Sequence, residues 1–252
     1  MIRYSFKIFC VAFSACFCCA GSLLAEDNNP HTDKMMNEKL NLTQEWDKVF
    51  PKSDKVTHRK VSFRNRYGIM LAADLYMPRN VNEKLPAIAV SGPFGAVKEQ
   101  SAGLYAQTMA ERGFLTIAFD PSYTGESGGF PRYVASPDIN TEDFCAAVDY
   151  LSTRDDVDSE RIGIIGICGW GGMAVNAAAI DTRIKATVTS TMYDMSRVNA
   201  NGYFDAEDSA EARRNKRETM NAIRTRDAQN GTATPGTPGL PASIKGDEPQ
   251  FV

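Results

Sequence analysis

The sequence predicts an α/β fold, a mostly parallel sheet with helices on both faces. Three observations carry this expectation. Four short apolar runs (residues 85–90, 114–119, 161–166 and 186–190) are separated by stretches with helical periodicity. A pair of looser, alternating runs precedes them, and loops rich in Gly or Pro stand between the elements. A strand covered on both faces reads as a continuous apolar run, whereas a strand with one wet face alternates, so the order implies an antiparallel opening followed by parallel crossover units.

Taken in order, residues 56–63 and 70–76 alternate at period two around a turn at Tyr67-Gly68 and are expected to pair antiparallel, with Pro78 closing the second. Residues 85–90 form the third strand and lead into the loop Ser91-Gly92-Pro93-Phe94-Gly95, then a helix over 101–112. The fourth strand, 114–119, is followed by a loop containing Gly125, Gly128 and Gly129. A helix is expected from Thr141 to about Ser152, with Asn140 or Thr141 as its cap and Glu142 and Asp143 in the first turn, where carboxylates meet the positive end of the helix dipole. Residues 161–166 form the fifth strand, residues 169–180 an Ala-rich helix, and residues 186–190 the sixth strand.

The flanks differ in kind. Residues 1–25 carry Arg3 and Lys7, then an uncharged apolar stretch over 8–24, then Leu23-Leu24-Ala25 as a cleavage site, which reads as a signal peptide of an exported, periplasmic or secreted protein. An N-terminal membrane anchor made of the same stretch, or lipidation at Cys16 or Cys19, stay open as alternatives. Residues 26–54 form a polar extension in which a short amphipathic stretch over 40–46 is expected to make one helix, and residues 55–204 form the core. The tail, 205–252, begins with a charged helix whose six basic and six acidic residues between Asp205 and Asp227 mark a solvated surface, and ends in a flexible Pro/Gly-rich stretch.

Composition narrows the partners. With 252 residues, 43% hydrophobic, 23% charged and a formal net charge of -3, the chain is an ordinary globular protein and not a disordered, fibrous or nucleic-acid-binding one. No membrane contact is expected beyond the leader. Four of the six cysteines (Cys10, Cys16, Cys18, Cys19) fall in the leader, leaving Cys145 and Cys168. In an oxidising compartment each is a disulfide half, a buried hydrophobe or a reactive thiol. Metal-spaced Cys/His clusters and phosphate-binding glycine loops are absent from the sequence, so no metal and no cofactor are expected.

The most informative segment is Gly166-Ile167-Cys168-Gly169-Trp170-Gly171-Gly172, between the fifth strand and the Ala-rich helix. Gly166 is expected to let the backbone fold sharply and hold Cys168 over the helix N-terminus. There the unpaired amides and the helix dipole favour thiolate over thiol, and the amide of Gly169 points where an oxyanion would form. The plainer reading makes Cys168 an inert buried cysteine. Cys145, beside Phe144, Val148 and Leu151, reads as core, and Asp120 as the cap of the turn after strand four. Ser127 and Ser190 read as loop or strand polar groups.

With the loop 91–95, the segment Asp120-Pro-Ser-Tyr-Thr-Gly-Glu-Ser127 and this elbow in that order, residues 56–201 resemble the α/β-hydrolases, and among them the dienelactone-hydrolase-like group, in which a cysteine can replace serine at the nucleophile elbow. The resemblance implies an α/β-hydrolase fold, Cys168 as nucleophile, and a second oxyanion donor from the loop after strand three. Because Pro93 lacks an N–H, that donor is Phe94 in preference to Gly95. Trp170 stands where the family has glycine, so the packing or the acyl pocket must differ there.

The family places an acid and then a histidine after the nucleophile. Here both histidines, His31 and His58, precede Cys168, and Asp194 after strand six is the candidate acid. A complete fold of this kind has eight strands, and the last two would fall beyond Val252. The sequence therefore reads as a hydrolase shortened after strand six, weak or inactive, with an exposed sheet edge that invites self-association. The expected activity is hydrolysis of an ester, a lactone or a related small acyl compound. The alternative is a non-catalytic binding protein of the same fold.

Overall fold

Alternation along each strand sends side chains to two faces, and both faces of the sheet are apolar. In the fifth strand Ile162 and Ile164 join one core cluster while Ile165 and Ile167 join the other. The computed structural model describes residues 39–236. The leader, His31 and residues 237–252 lie outside the described residues.

Six strands form one sheet: β1 (Val56–Arg64), β2 (Met70–Pro78), β3 (Leu85–Ser91), β4 (Leu115–Phe119), β5 (Val157–Ile167) and β6 (Ile184–Ser190). Their spatial order is β1-β2-β4-β3-β5-β6. β1 pairs antiparallel with β2 and β2 antiparallel with β4, and the remaining pairs are parallel. Helix α1 (Ser101–Ala110) joins β3 to β4 and lies on one face, where Ala102, Ala106 and Ala110 pack on Ile88, Val90 and Ala118. Helices α2 (Pro137–Ser152) and α3 (Trp170–Ile180) connect β4 to β5 and β5 to β6. They cover the other face through Phe144, Val148, Leu151, Met173 and Ala177. A short helix α4 (Met195–Asn201) and the exposed helix α5 (Ala210–Asn230) follow; α5 buries none of its residues, as its charge balance implies.

Three local expectations are corrected. Helix α2 starts at Pro137 after Ser136, one turn before Thr141, because proline suits the first helical position. The polar residues read as its cap are buried instead: Asn140 Nδ2 donates to Asp143 Oδ2 at 2.9 Å, and Asp143 accepts from the Ser122 amide and hydroxyl and from Asn65 at 2.7 to 2.8 Å. The stretch over 40–46 is not helical. It runs beside the sheet edge, where the Gln44 side chain exchanges hydrogen bonds with the Lys60 backbone and Trp46 Nε1 donates to the Phe50 carbonyl. Strand β6 is not covered on both faces: all its residues are exposed or half-buried, and Val188 borders an open groove with Ile88, Met109, Phe114 and Ile165.

A buried ion network ties the extension and two loops to the sheet. Lys98 Nζ lies 2.9 Å from Asp120, 2.6 Å from Glu126 and 2.6 Å from Glu99, and Lys60 Nζ lies 2.6 Å from Asp47 and 2.8 Å from Glu126. The oxygens of Glu99, Asp120 and Glu126 gather within 4.8 Å of one another, and the Lys98 ammonium supplies the cation such a cluster demands. Burial disfavours the charged form of Lys98, but Asp120, Glu99 and Glu126 outweigh it and raise its pKa. Removing one partner of a buried pair strands the other, so Lys98→Met should lower stability by about 3–5 kcal/mol in urea unfolding. A loss below about 1 kcal/mol would contradict this account.

Partial burial also works against ionised Asp47, yet the ammonium groups of Lys48 and Lys60 hold its pKa down at about 2 against the usual 3.8. A depressed carboxylate stabilises the fold above its unfolded value and loses that contribution as the pH falls through its folded one. Thermal melts should therefore show Tm falling between about pH 4 and pH 2, with a shallower fall in Asp47→Asn. Parallel acid limbs in the two proteins would remove Asp47 as a source of the effect.

Candidate active site

The turn from β5 into α3 is made at Cys168, whose φ of +58° lies in the left-handed region. That conformation costs a non-glycine residue on the order of 1–3 kcal/mol, and at a strand-to-helix turn it holds the side chain clear of both elements. The turn is pinned on either side: the Cys168 amide donates to the Ser190 carbonyl at 2.8 Å and the Gly171 amide to the Cys168 carbonyl at 2.9 Å. Gly166 has a different role from the one expected. A Cβ there would lie 2.4 Å from the Trp170 carbonyl and 2.8 Å from Ala174 Cβ, so its lack of a side chain lets α3 settle on β5.

The loop after β3 comes against this elbow. Gly92 has φ +99°, and a Cβ on it would meet the Ile167 carbonyl at 2.4 Å and Trp170 Cδ1 at 2.7 Å, so both conformation and space demand glycine. Phe94 then lays its ring over Gly169, where an added Cβ would lie 1.9 Å from Phe94 Cε2. The rings of Phe94 and Trp170 pack at 5.5 Å with a 45° tilt. Phe94, Cys168, Gly169 and Trp170, read from distant parts of the sequence, thus form one cluster. Trp170, in the position where glycine is usual, is buried and walls a cleft of about 390 Å³ whose lining includes Phe94, Val97, Thr124 and Tyr133.

Cys168 is half-buried and packs against the α1-side cluster. Tyr193, on the segment after β6, lies within electrostatic reach of it. A hydrogen bond to the Tyr203 hydroxyl at 3.0 Å, then the charges of Tyr203 and Cys168, raise the pKa of Tyr193. Asp194 is exposed and caps α4, accepting from the Arg197 amide at 3.0 Å. His58, the histidine among the described residues, donates or accepts at Asp74 over 2.8 Å and sits between the rings of Trp46 and Tyr76. It is on edge strand β1, with β2, β4 and β3 between it and β5.

The other polar residues cap loops and bind backbone or neighbouring hydroxyls. Asp120 accepts from the amides of Lys98 and Glu126, capping the loop after β4. Ser127 Oγ donates to the Asp120 carbonyl at 2.6 Å and accepts from the Ala72 amide at 2.8 Å, and Ser190 Oγ pairs with the Tyr105 hydroxyl at 3.1 Å. Cys145 and Cys168 are both free thiols, so no disulfide joins them. Cys145 packs against the larger core cluster, and burial, then the charges of Asp181 and Glu142, push its thiol up to about 11. Thr124 and Tyr133, which line the cleft, and Tyr193, within electrostatic reach of Cys168, are not singled out by the sequence, because they stand in irregular segments that carry no periodicity.

Comparison with known proteins fits this geometry. A family model described as X-Pro dipeptidyl-peptidase (S15 family) matches residues 67–237. The uncharacterized protein PA2218 of Pseudomonas aeruginosa is 64% identical over 217 residues, 86% of this chain and 58% of its own length. The crystal structure of that protein matches with a TM-score of 0.78 at 63% identity, over 85% of this chain and 66% of the other. Thiohydrolase aneE of Aspergillus aculeatus is 31% identical over 137 residues, 54% of this chain and 42% of its own. The α/β hydrolase GrgF from Penicillium sp. sh18 shares the fold, with a TM-score of 0.56 at 21% identity over 69% of this chain and 56% of that one. The chain spans less than two thirds of the length of these curated relatives. The six-stranded, mostly parallel sheet is that of an α/β-hydrolase, and with the model matched across most of its core the chain belongs to the X-Pro dipeptidyl-peptidase (S15) family.

Proposed function

We propose that this protein is an acyl hydrolase that uses Cys168 to cleave an ester, thioester or lactone. The observation that carries the reading is the left-handed Cys168 at the β5–α3 turn, faced by the Phe94 loop. In this reading the Cys168 sulfur attacks the carbonyl carbon, and the carbonyl oxygen, now an anion, is received by the amides of Gly169 and Phe94. Collapse of the intermediate expels the alcohol or thiol, which takes up a proton and leaves an acyl thioester on Cys168. Water then attacks that thioester, releases the carboxylic acid and restores the thiol. Among the described residues no histidine adjoins Cys168, so water carries the protons and the rate is modest; oxyanion stabilisation and binding alone give about 10³-fold over water. Thiohydrolase aneE, 31% identical, supports a thioester among the substrates. The leader-like residues 1–25 support an exported protein.

A second reading, a binding protein without catalysis, is favoured by the distance in sheet order between His58 and the elbow. One experiment separates them: hydrolysis of p-nitrophenyl acetate by the purified chain beside Cys168→Ala. The first reading expects at least about a tenfold loss of rate; equal rates support the second. Iodoacetamide at pH 8 should abolish the same activity while modifying Cys145 at least about tenfold more slowly than in urea, because a thiol held at about 11 is scarcely ionised there. Rapid labelling of Cys145 in the folded protein would show that its surroundings do not suppress its thiolate.

A further inference from the structure

The cleft beside the elbow has a wall chemistry that selects among acyl groups. Its lining, from Phe94 and Val97 through Thr124 and Tyr133 to Trp170, carries no charged side chain. The carboxylate nearest in sequence is Glu126, one residue beyond the lining Gly125, and it is already held by Lys60 at 2.8 Å and Lys98 at 2.6 Å. Glu99, two residues beyond Val97, is held by Lys98 at 2.6 Å and Lys60 at 3.3 Å; Asp138, three beyond Ala135, lines a separate hollow with Tyr67 and Glu142; and Asp120 is fully buried and bonded to Lys98. A substrate bearing a free α-amino group, with a pKa of about 7.7–8.0, enters largely as a cation and would lose its water without meeting a counter-charge. Aromatic faces can hold a cation in place of a carboxylate. Here, though, the Phe94 and Trp170 rings pack against each other, Phe94 also covers Gly169, and the Tyr133 ring stands half exposed to water, where a cation–π contact is weak. What the walls do offer is apolar contact with Val97 and the aromatic rings, and two hydroxyls, those of half-buried Thr124 and exposed Tyr133.

We infer that this cleft binds the acyl side of the substrate and that it takes a neutral, largely apolar acyl group in preference to an aminoacyl or dipeptidyl group. The inference rests on the proposed acyl chemistry, since it is the elbow that gives the cleft a bond to act on. Phe94 serves it twice, through its amide at the oxyanion and through its ring, which covers Gly169 beside Cys168 and lines the cleft. Tyr133, 48% exposed, forms the outer wall.

The test uses the full chain carrying Cys168→Ala, so that binding is read without turnover. Isothermal titration calorimetry with hexanamide and with Ala-Pro amide compares a neutral acyl group with a dipeptide of the same terminal chemistry. Hexanamide should bind saturably and at least about tenfold more tightly than Ala-Pro amide at pH 7, a ratio worth about 1.4 kcal/mol. Adding Tyr133→Asp, at an exposed position whose φ of +59° aspartate tolerates, should weaken hexanamide binding at least about tenfold. Equal affinities for the two ligands, or hexanamide binding untouched by Tyr133→Asp, would overturn the inference. The failure of the chemistry is distinguishable, because p-nitrophenyl acetate has an acyl group too small to need the cleft. Rates equal to those of Cys168→Ala with hexanamide still bound would sink the nucleophile and leave the cleft assignment standing.

Discussion

The buried pair between Lys98 and Asp120 is the constraint on which the site depends. Both side chains are fully shielded from solvent, so an ionised Asp120 carboxylate relies on the Lys98 ammonium beside it. Asp120 stands at the end of β4 and Lys98 at the end of the loop that leaves β3, so the pair fixes where that loop returns to the sheet. The same carboxylate accepts from the amides of Lys98 and Glu126, which sets the start of the loop after β4. Two loops that flank one cleft are thus referred to one buried charge. The extension is drawn into the same network through Asp47 and Lys48, which explains how a polar segment with no helix of its own stays against the sheet edge.

The other end of the β3 loop is fixed by space instead of charge. Gly92 packs so close to Ile167 and Trp170 that a methyl group has no room, and Gly169 lies so close under Phe94 that the same holds there. Between these two contacts the loop has little freedom. Strain at Cys168 persists because the surroundings determine it: β5 and β6 hold the amide through Ser190, and α3 holds the carbonyl through Gly171. A rigid elbow and a rigid loop are what oxyanion stabilisation requires, since donors that must reorganise during the reaction return little of their electrostatic energy.

Much of this was legible in the sequence for physical reasons. The parallel strands announced themselves because a strand buried on both faces must be apolar throughout, and β3, β4 and β5 fall within a few residues of the apolar runs. The elbow was legible because few sequences place Gly-x-Cys-Gly between such a strand and an Ala-rich helix. What was not legible is whatever depends on partners remote in sequence. Asn140 looks like a helix cap and Asp143 like a first-turn carboxylate, and only the approach of Asn65 and Ser122 turns them into a buried network. Residues 40–46 look amphipathic, yet Gln44 finds backbone partners on β1 that outcompete a short isolated helix, which is marginal in water at that length. Tyr133 and Thr124 reach the cleft from loops whose residues carry no period at all.

Packing and chemistry can be separated at the elbow itself. Glycine at 92, 166 and 169 is demanded by neighbouring atoms, and Trp170 by the space it fills between the loop and α3. Position 168 is different: its side chain is half-buried and packs at the border of the α1-side cluster. The left-handed conformation would be adopted at lower cost by glycine or asparagine. In the proposed reading, a cysteine held there against its backbone preference is kept for its sulfur, which would meet an acyl carbonyl beside the Phe94 loop and the uncharged cleft. The topology that builds this place also removes His58 from it, since β1 reaches the sheet only at the far edge. In that reading Cys168 and the Phe94 loop come from one half of the sheet, and a base serving Cys168 comes from elsewhere than the histidine of β1.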